Sequence, residues 1–579
     1  MPALYQDRVG ISLYDAQWST GVKLPIPSSV TSDVVRALLR FKSACRDFGV
    51  RDPENVRIVA TEATRQAINS AEYRAEIEKA TGWKVEMLPK EEEGRVGAMG
   101  VVSSFGSVKG LMMDLGGGST QITWIIAKDG EVRMSEKGSV SMPYGAAALS
   151  RRLEEAQKLG GGSLSSLREE MTKNLKEAVE QIAIPKEIQD LASTSEGLPL
   201  YLSGGGFRGW GFVLISQHPV QPYPIPIING FKTTKANFYN VEMVKSTASS
   251  DSNIFRVSER RASQVPAVAL LVSCLLDALP SISTVHFAQG GVREGSIYSS
   301  LPPAIKSEHP LVTATSPHRS PSSTQLVTYI LDAFSPLQHA SPEGKPSPPT
   351  PSISQERQLL TAFVQAMYMH NPMNKDMQAA SALRSTTTGA LASIHGADHE
   401  ERAMLAVMLC ERWGGVGALA PGDEVFYRRL MELIGSEAGW WCMFVGRLGA
   451  LLGVVYPAGV VRGKDKVALK MSWKATDESG SDAGKKTLKK AAKNKQKQAG
   501  PDKSSLDSIQ VDVDFGRDEE GIIQSIGVQK ALKQLEKLGK KKNWPGDGEG
   551  GHTVSLTVRS AAAGGEVNLA DKGLELEFA

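Results

Sequence analysis

Cysteine is scarce and scattered. The four that occur, Cys45, Cys274, Cys410 and Cys442, form no CxxC pair, which argues against a zinc site or a disulfide framework and for a reducing compartment. An excess of either charge is also missing. The 66 Lys and Arg against 63 Asp and Glu leave a formal net charge of +3, too even to make nucleic acid the default partner. No basic region followed by an apolar run opens the chain, so no signal peptide is read there. The most membrane-like stretch, Trp440 to Val461, is interrupted by Gly446, Arg447, Gly449, Gly453 and Pro457. A buried helix followed by a strand accounts for it better than a bilayer span. Neither a GxxxxGK[ST] phosphate loop nor a His-Asp dipeptide occurs.

The residues present suit a multidomain globular protein. At 579 residues the chain exceeds one core, and its 41% hydrophobic and 22% charged content fits three or four domains with some unstructured sequence. Arg8 to Tyr14 alternates like a short strand. Val34, Leu38, Phe41, Cys45 and Phe48 recur at spacings of four and three, which predicts a helix starting near Ser32 and closed by Gly49. Val56 to Ala60 reads as a buried strand, Thr61 to Ala80 as helix, and Trp83 to Leu88 as strand. This β-α-β unit wants a sheet with helices packed on it.

The stretch Leu111 to Thr123, LMMDLGGGSTQIT, is the one around which the rest of the chain is organised. It reads as a strand ending in Asp114, a turn of Gly116, Gly117 and Gly118, and a second strand opened by Ser119 and Thr120. Three glycines let backbone N–H groups close on a ligand, and a carboxylate beside them can hold a cation or orient a water. A tight hairpin turn with an Asp favoured by turn chemistry remains the plain alternative. Two more strand-to-glycine loops come later in the chain, Ser203-Gly204-Gly205-Gly206 with Arg208 just beyond, and Gly290-Gly291 before Arg293-Glu294-Gly295. They either gather at one cleft or are three unrelated turns of an α/β domain.

The order of IVATEATRQAIN (58–69), EEEGRVGAMGVV (91–102), DLGGGSTQ (114–121), SMPYGA, SGGGFR and GGVREGSIY (290–298) resembles the Ppx/GppA phosphatase family. These are exopolyphosphatases and guanosine pentaphosphate phosphohydrolases, and within them the likeness is greatest to a fungal mitochondria-to-nucleus signalling branch. The resemblance implies an α/β, actin-like (RNase H-like) two-lobed fold that cleaves terminal phosphoanhydrides of polyphosphate or guanosine pentaphosphate, with Mg²⁺ as cofactor. It makes Glu93 the general base, with Glu92 as its neighbour in register, and Asp114 the residue that positions water or Mg²⁺. Gly116, Gly117, Gly118, Ser119 and Thr120 become the phosphate loop, and Arg65 a catalytic-site phosphate ligand, with a surface ion pair as its alternative. Gly204, Gly205, Gly206 and Arg208 become the nucleotide-side loop. For Arg95 a surface ion pair is preferred, and Arg293 and Glu294 are expected to staple the lobe.

The family's opening strand–loop–strand of type DxGSNxxR has no counterpart in the first ten residues. The expected domain therefore lacks its first hairpin, and a natural start upstream of Met1 is preferred to loss of turnover. The expected organisation is an incomplete first lobe (1–108), a second lobe with the phosphate loop (109–300), a Pro/Ser-rich linker (301–354) with one helical patch around Gln325 to Phe334, a mainly helical domain (355–470), a basic disordered linker (471–507) and a small α+β module (508–579). His395, Asp398 and His399 are expected to be exposed or capping residues rather than metal ligands. The Lys485 to Lys497 run reads as a solvated tail before a nuclear signal or a polyanion site. Polyphosphate or a guanine nucleotide and signalling proteins are the expected partners, without specific DNA binding or membrane contact, in the cytoplasm and also the nucleus. The competing expectation is a sensor that binds nucleotide or phosphate without turnover.

Overall fold

The computed structural model describes residues 5–194, 197–250, 259–339, 353–461, 467–474, 508–516, 521–546, 551–559 and 567–568. The chain divides into two compact units, Met1–Thr313 with Ser393–His399, and Ala314–Ala392 with Glu400–Ala579. The Lys485 to Lys497 run lies outside the described residues.

The first unit holds two sheets. In the smaller one, β1 (Ile58–Ala60) and β2 (Val85–Met87) pair in parallel, joined by the Glu62–Arg65 and Ser70–Thr81 helices and packed on the Ser28–Asp47 helix. The larger sheet runs β5 (Glu131–Met134), β4 (Thr120–Lys128), β3 (Val108–Leu115), β7 (Leu198–Ser203), β9 (Ile282–Phe287), β8 (Phe231–Thr234), with β6 (Val140–Met142) also paired to β4. Strands β5, β4 and β3 are antiparallel neighbours, whereas β3, β7 and β9 are parallel. Parallel strands end at the same edge, so the three glycine loops, which come after β3, β7 and β9, leave one side of the sheet together. That edge is where open α/β sheets bind ligands.

Helices cover both faces. On one, Leu111, Met113, Leu200, Leu202, Val285 and Phe287 pack against the Ala146–Leu159, Gly161–Gln181, Gly205–Ser216 and Glu259–Ala278 helices. On the other, Met112, Ile125 and Tyr201 meet Ala98, Val101 and Val102 of the Lys90–Val102 helix. Each fully buried large apolar side chain contributes about 1.5–3 kcal/mol.

Several expectations are corrected. Arg8 to Tyr14 forms no strand; Leu13–Gln17 is a short helix capped by Ser12, whose Oγ accepts from the Asp15 amide. Helix 61–80 is two helices with a break at 66–69. The 301–354 linker, expected to carry one helical patch around Gln325 to Phe334, is helical over more of its described part. Helices Pro303–Lys306, Pro310–Thr315 and Ser323–His339 occupy it, with Leu311, Leu326 and Ile330 fully buried. Proline at the first helical position is compatible with a helix, so Pro-rich composition misled there.

In the second unit, the Ile353–Ala366, Lys375–Arg384, His399–Arg412, Pro421–Ile434 and Ser436–Val455 helices form the helical part, apart from His399 itself. Ser436–Val455 and Arg261–Ala278 are long and apolar enough to cross a membrane by composition, but 72% of the former is buried, as in a core helix. No strand comes after Ser436–Val455 before residue 461. The C-terminal sheet starts earlier than expected: β10 (Ala468–Lys474) pairs antiparallel with β11 (Ser508–Asp514), followed by β12 (Thr553–Arg559) and β13 (Val567–Asn568). Residues 471–474, expected in a disordered linker, are therefore strand; the remainder of 475–507 lies outside the described residues.

Candidate active site

The turn after β3 offers donors. The Gly116 amide closes the turn on Ser119 O at 3.0 Å. The carbonyls of Gly116, Gly117 and Gly118 accept from Ala146, Ala147, Ala148 and Gly145 at 2.9–3.2 Å, so the start of the Ala146–Leu159 helix clamps the turn from behind. Gly145 has no room for a side chain, since a Cβ would stand 2.3 Å from Gly118 C. The amides of Gly117, Gly118 and Ser119 donate no hydrogen bond among the described residues. This leaves three backbone donors in one turn, a concavity suited to an anion. Two members of the expected phosphate loop are corrected. Gly116 spends its amide inside the turn, and Thr120 is fully buried with its hydroxyl on Tyr144 O at 2.8 Å.

Asp114 sits at the end of β3 beside Ser203 of β7, its register partner. Burial pushes its carboxyl up, opposed by the Arg208 charge and by the neighbouring Ser203 side chain. Arg208 lies in the first turn of the Gly205–Ser216 helix with Nε on Gly204 O at 3.1 Å. Burial depresses its guanidinium, Asp114 favours its charge, and Arg8 and Arg261 oppose it. Gly204 takes φ +93, and a Cβ there would meet Leu115 O at 2.3 Å, so only glycine allows the second loop to approach the end of β3.

Glu93 is 9% exposed in the first turn of the Lys90–Val102 helix. Its carboxyl is raised above the ordinary 4.5 by burial, against the hydrogen bond and charge of Arg65, and the charges of Glu62 and Asp114 raise it further. Arg65 donates Nη2 to Glu93 Oε2 at 3.0 Å and Nη1 to Leu88 O at 2.6 Å. Arg65 thus holds Glu93, an ion pair at the site rather than on the open surface. Exposed Arg95 pairs with half-buried Glu92.

Two residues of this site were overlooked in the sequence. Gln121 is the cross-strand partner of Asp114 in the β3–β4 hairpin, so both side chains stand on one face. Its Oε1 lies 3.4 Å from where a Gly94 Cβ would be, next to Glu93. Counting hairpin register from the glycine turn would have found it. Glu62 accepts from Ser119 Oγ at 2.7 Å, a contact between residues 57 apart that no local pattern encodes.

The third loop differs. Gly290 N donates to Ser104 Oγ at 3.1 Å, Gly291 N to Glu294 Oε2 at 3.0 Å, and Ser203 Oγ donates to Gly290 O at 2.7 Å. Glu294 caps its own helix and pairs with Arg293. His399 is buried rather than exposed, with Nδ1 on Tyr223 Oη at 2.7 Å. A surface cavity of about 630 Å³, lined by Arg168, Lys173 and Asp277 among others, contains none of the site residues.

No group of three or more His, Cys, Asp or Glu side chains among the described residues is placed to hold a metal ion by itself. Asp114 and Gln121 do offer two oxygens on one face. That fits Mg²⁺, which takes one or two protein oxygens and completes its shell with phosphate and water.

Comparisons with known proteins identify the family of the chain. Residues 1–304 match the Ppx/GppA phosphatase family model. The chain belongs to the Ppx/GppA phosphatase family. Its fold is the family's actin-like α/β fold, followed by a region, 309–563, that matches the RTG2 C-terminal domain. This Ppx/GppA member is 39% identical over 479 residues to Retrograde regulation protein 2 of Saccharomyces cerevisiae, spanning 80% of this chain and 77% of that protein. It is 26% identical over 254 residues to Exopolyphosphatase 1 of Mycobacterium leprae, spanning 42% and 67%. Among solved structures, the Aquifex aeolicus Ppx/GppA phosphatase aligns at a TM-score of 0.37 and 22% identity, over 50% of this chain and 88% of that one.

Proposed function

We propose that this protein hydrolyses the terminal phosphoanhydride of polyphosphate or guanosine pentaphosphate. The observation that carries the reading is the set of uncommitted Gly117, Gly118 and Ser119 amides at the sheet edge shared with Asp114 and Glu93. The amides hold the terminal phosphoryl oxygens, where negative charge stays high throughout the reaction. Asp114 orients the incoming water, and Arg208 offsets its charge. Water attacks phosphorus, the bridging P–O bond breaks, and Glu93 takes the water's proton. A base whose pKa is raised by burial suits that role near neutral pH. Arg65 fixes Glu93 in place. Mg²⁺, held by Asp114 and Gln121 with the substrate's phosphates, would neutralise the phosphate charge.

A second reading has its own support. Gln121 supplies an amide where a carboxylate would strengthen a metal site, and the likeness to a protein named for retrograde regulation runs through most of the chain. On that reading phosphate or nucleotide binding changes partner affinity without turnover, in a cytoplasmic and nuclear signalling role.

Phosphate release from polyphosphate and from guanosine pentaphosphate, measured with the full chain and Mg²⁺, separates the two. Glu93→Gln is expected to lower turnover by about 10²–10⁴-fold, and Asp114→Asn comparably. Turnover left intact by both variants removes the assignment. Absence of cleavage, with a nucleotide that raises the melting temperature, supports the sensor.

A further inference from the structure

One carboxylate beside the loop has no part in the proposed hydrolysis. Glu62 opens the Glu62–Arg65 helix directly after β1, and its Oε2 accepts from Ser119 Oγ at 2.7 Å. The same oxygen lies 3.1 Å from where a Cβ on Gly118 would stand, so it rests against the turn that carries the uncommitted amides. Oε1 accepts from Gln66 Nε2 at 3.1 Å.

Both donors are neutral, and that sets Glu62 apart from its neighbours. Glu93 is paired with Arg65, and Asp114 faces Arg208. Glu62 has no ion pair with any described residue. Arg151, from the Ala146–Leu159 helix, donates to Tyr14 Oη at 3.0 Å and stacks on Trp18 at 4.3 Å instead. Of these three carboxylates, Glu93 alone forms a salt bridge among the described residues; Asp114 feels the Arg208 charge without one, and Glu62 has neither.

We propose that Glu62 is an internal anion latched onto the phosphate loop, and that it makes phosphate binding there depend on a divalent cation. The latch rests on the reading of the Gly117–Ser119 turn as a phosphate loop. A phosphate that reaches those amides meets the Glu62 carboxylate at contact distance, where like charges repel strongly. It must arrive with a cation that both anions share, or it must expel Glu62 from Ser119. Expulsion frees the Ser119 hydroxyl for the ligand and unties the Glu62–Arg65 helix from the β3–β4 hairpin. Because Arg65 holds Glu93, release of the latch also reaches the proposed base.

Calorimetric titration of pyrophosphate into the full chain, with and without Mg²⁺, tests this without relying on turnover. Glu62→Gln keeps the size and the hydrogen bond to Ser119 but removes the charge. The parent is expected to bind only with Mg²⁺. The variant is expected to bind without it, on the order of tenfold or more tighter than the parent under the same conditions. Glu62→Ala should behave alike, whereas Glu86→Gln, the same charge change beside Arg57, should leave the affinity as it was. Equal affinities for parent and Glu62→Gln in both conditions overturn the latch and leave the loop standing. No pyrophosphate binding by any of these proteins overturns the loop reading and the latch with it.

Discussion

The first and third glycine loops look alike in sequence and leave parallel strands of one sheet, yet they use glycine for opposite ends. After β3, glycine leaves donors exposed: a Cβ on Gly117 would meet nothing within 4 Å, and its amide has no partner among the described residues. After β9, glycine lets main chains touch. A Cβ on Gly290 would stand 1.9 Å from Gly100 O, and one on Gly100 2.0 Å from Gly291 O. The amides there are already spent on Ser104 and Glu294. One helix, Lys90–Val102, serves both, with Glu93 at the end near the first loop and Gly100 under the third. A glycine-rich strand end therefore signals a tight main-chain geometry, and only the partners of its amides decide whether that geometry binds or braces.

The largest expected effect tests the bracing loop. Gly100→Ala forces a Cβ into the Gly291 backbone, which cannot yield as a flexible side chain would. It should cost about 3 kcal/mol and lower the thermal midpoint accordingly. Gly295→Ala, whose Cβ would meet Val96 O at 1.7 Å, should behave alike. Melting of either variant at the parental temperature would show that the Lys90–Val102 helix and the Gly290–Gly295 segment are held apart in solution, and the contrast between the loops would fail.

A smaller effect tests the reactive end of the same helix. Glu93 titrates above 4.5 in the folded protein because burial outweighs Arg65. The folded state thus holds this proton more tightly than the unfolded chain does. The stability this gives is complete below pH 4.5 and is lost as pH rises through the folded value. Glu93→Gln, neutral at every pH, should gain stability relative to the parent across that window and hold the difference at higher pH. Denaturant midpoints measured from pH 4 to 8 check the sign. A variant that loses ground as pH rises would mean that the Arg65 pair outweighs burial, leaving Glu93 a strong ion-pair member and a poor base.

Much of this was legible in the sequence, and the parts that escaped have physical causes. The β3–β4 hairpin, the Ser28–Asp47 helix and the family's motif order rest on local patterns or fixed spacings. Arg8 to Tyr14 alternates like a strand, but alternation without a partner strand leaves backbone groups unpaired, and Ser12 instead caps a helix. The described part of 301–354 reads as linker by composition, yet Pro303 and Pro310 stand at helix starts. Glu62 was missed because its role comes from a contact across the fold, whereas Gln121 follows from hairpin register that was not counted. The Arg65–Glu93 pair escaped as Glu62 did, since sequence shows a charge without showing the carboxylate beside it. Thr120 was counted with the loop although alternation along β4 turns it into the core.

The smallest expected change in stability is the sharpest test of the binding loop. Gly117 does not adopt a positive φ, and its Cβ direction is open, so Gly117→Ala should shift folding by no more than about 0.5 kcal/mol. A methyl group in that open space stands where a ligand would approach the amides, so phosphate affinity should fall while the melting temperature holds. Pyrophosphate titration alongside thermal unfolding reads both at once. Loss of stability would place Gly117 with Gly100 as a packing residue. Unchanged affinity would mean that ligands approach from elsewhere, and the distinction between a loop that binds and a loop that braces would rest on the second loop, where Gly204 packs against Leu115 while Arg208 faces Asp114.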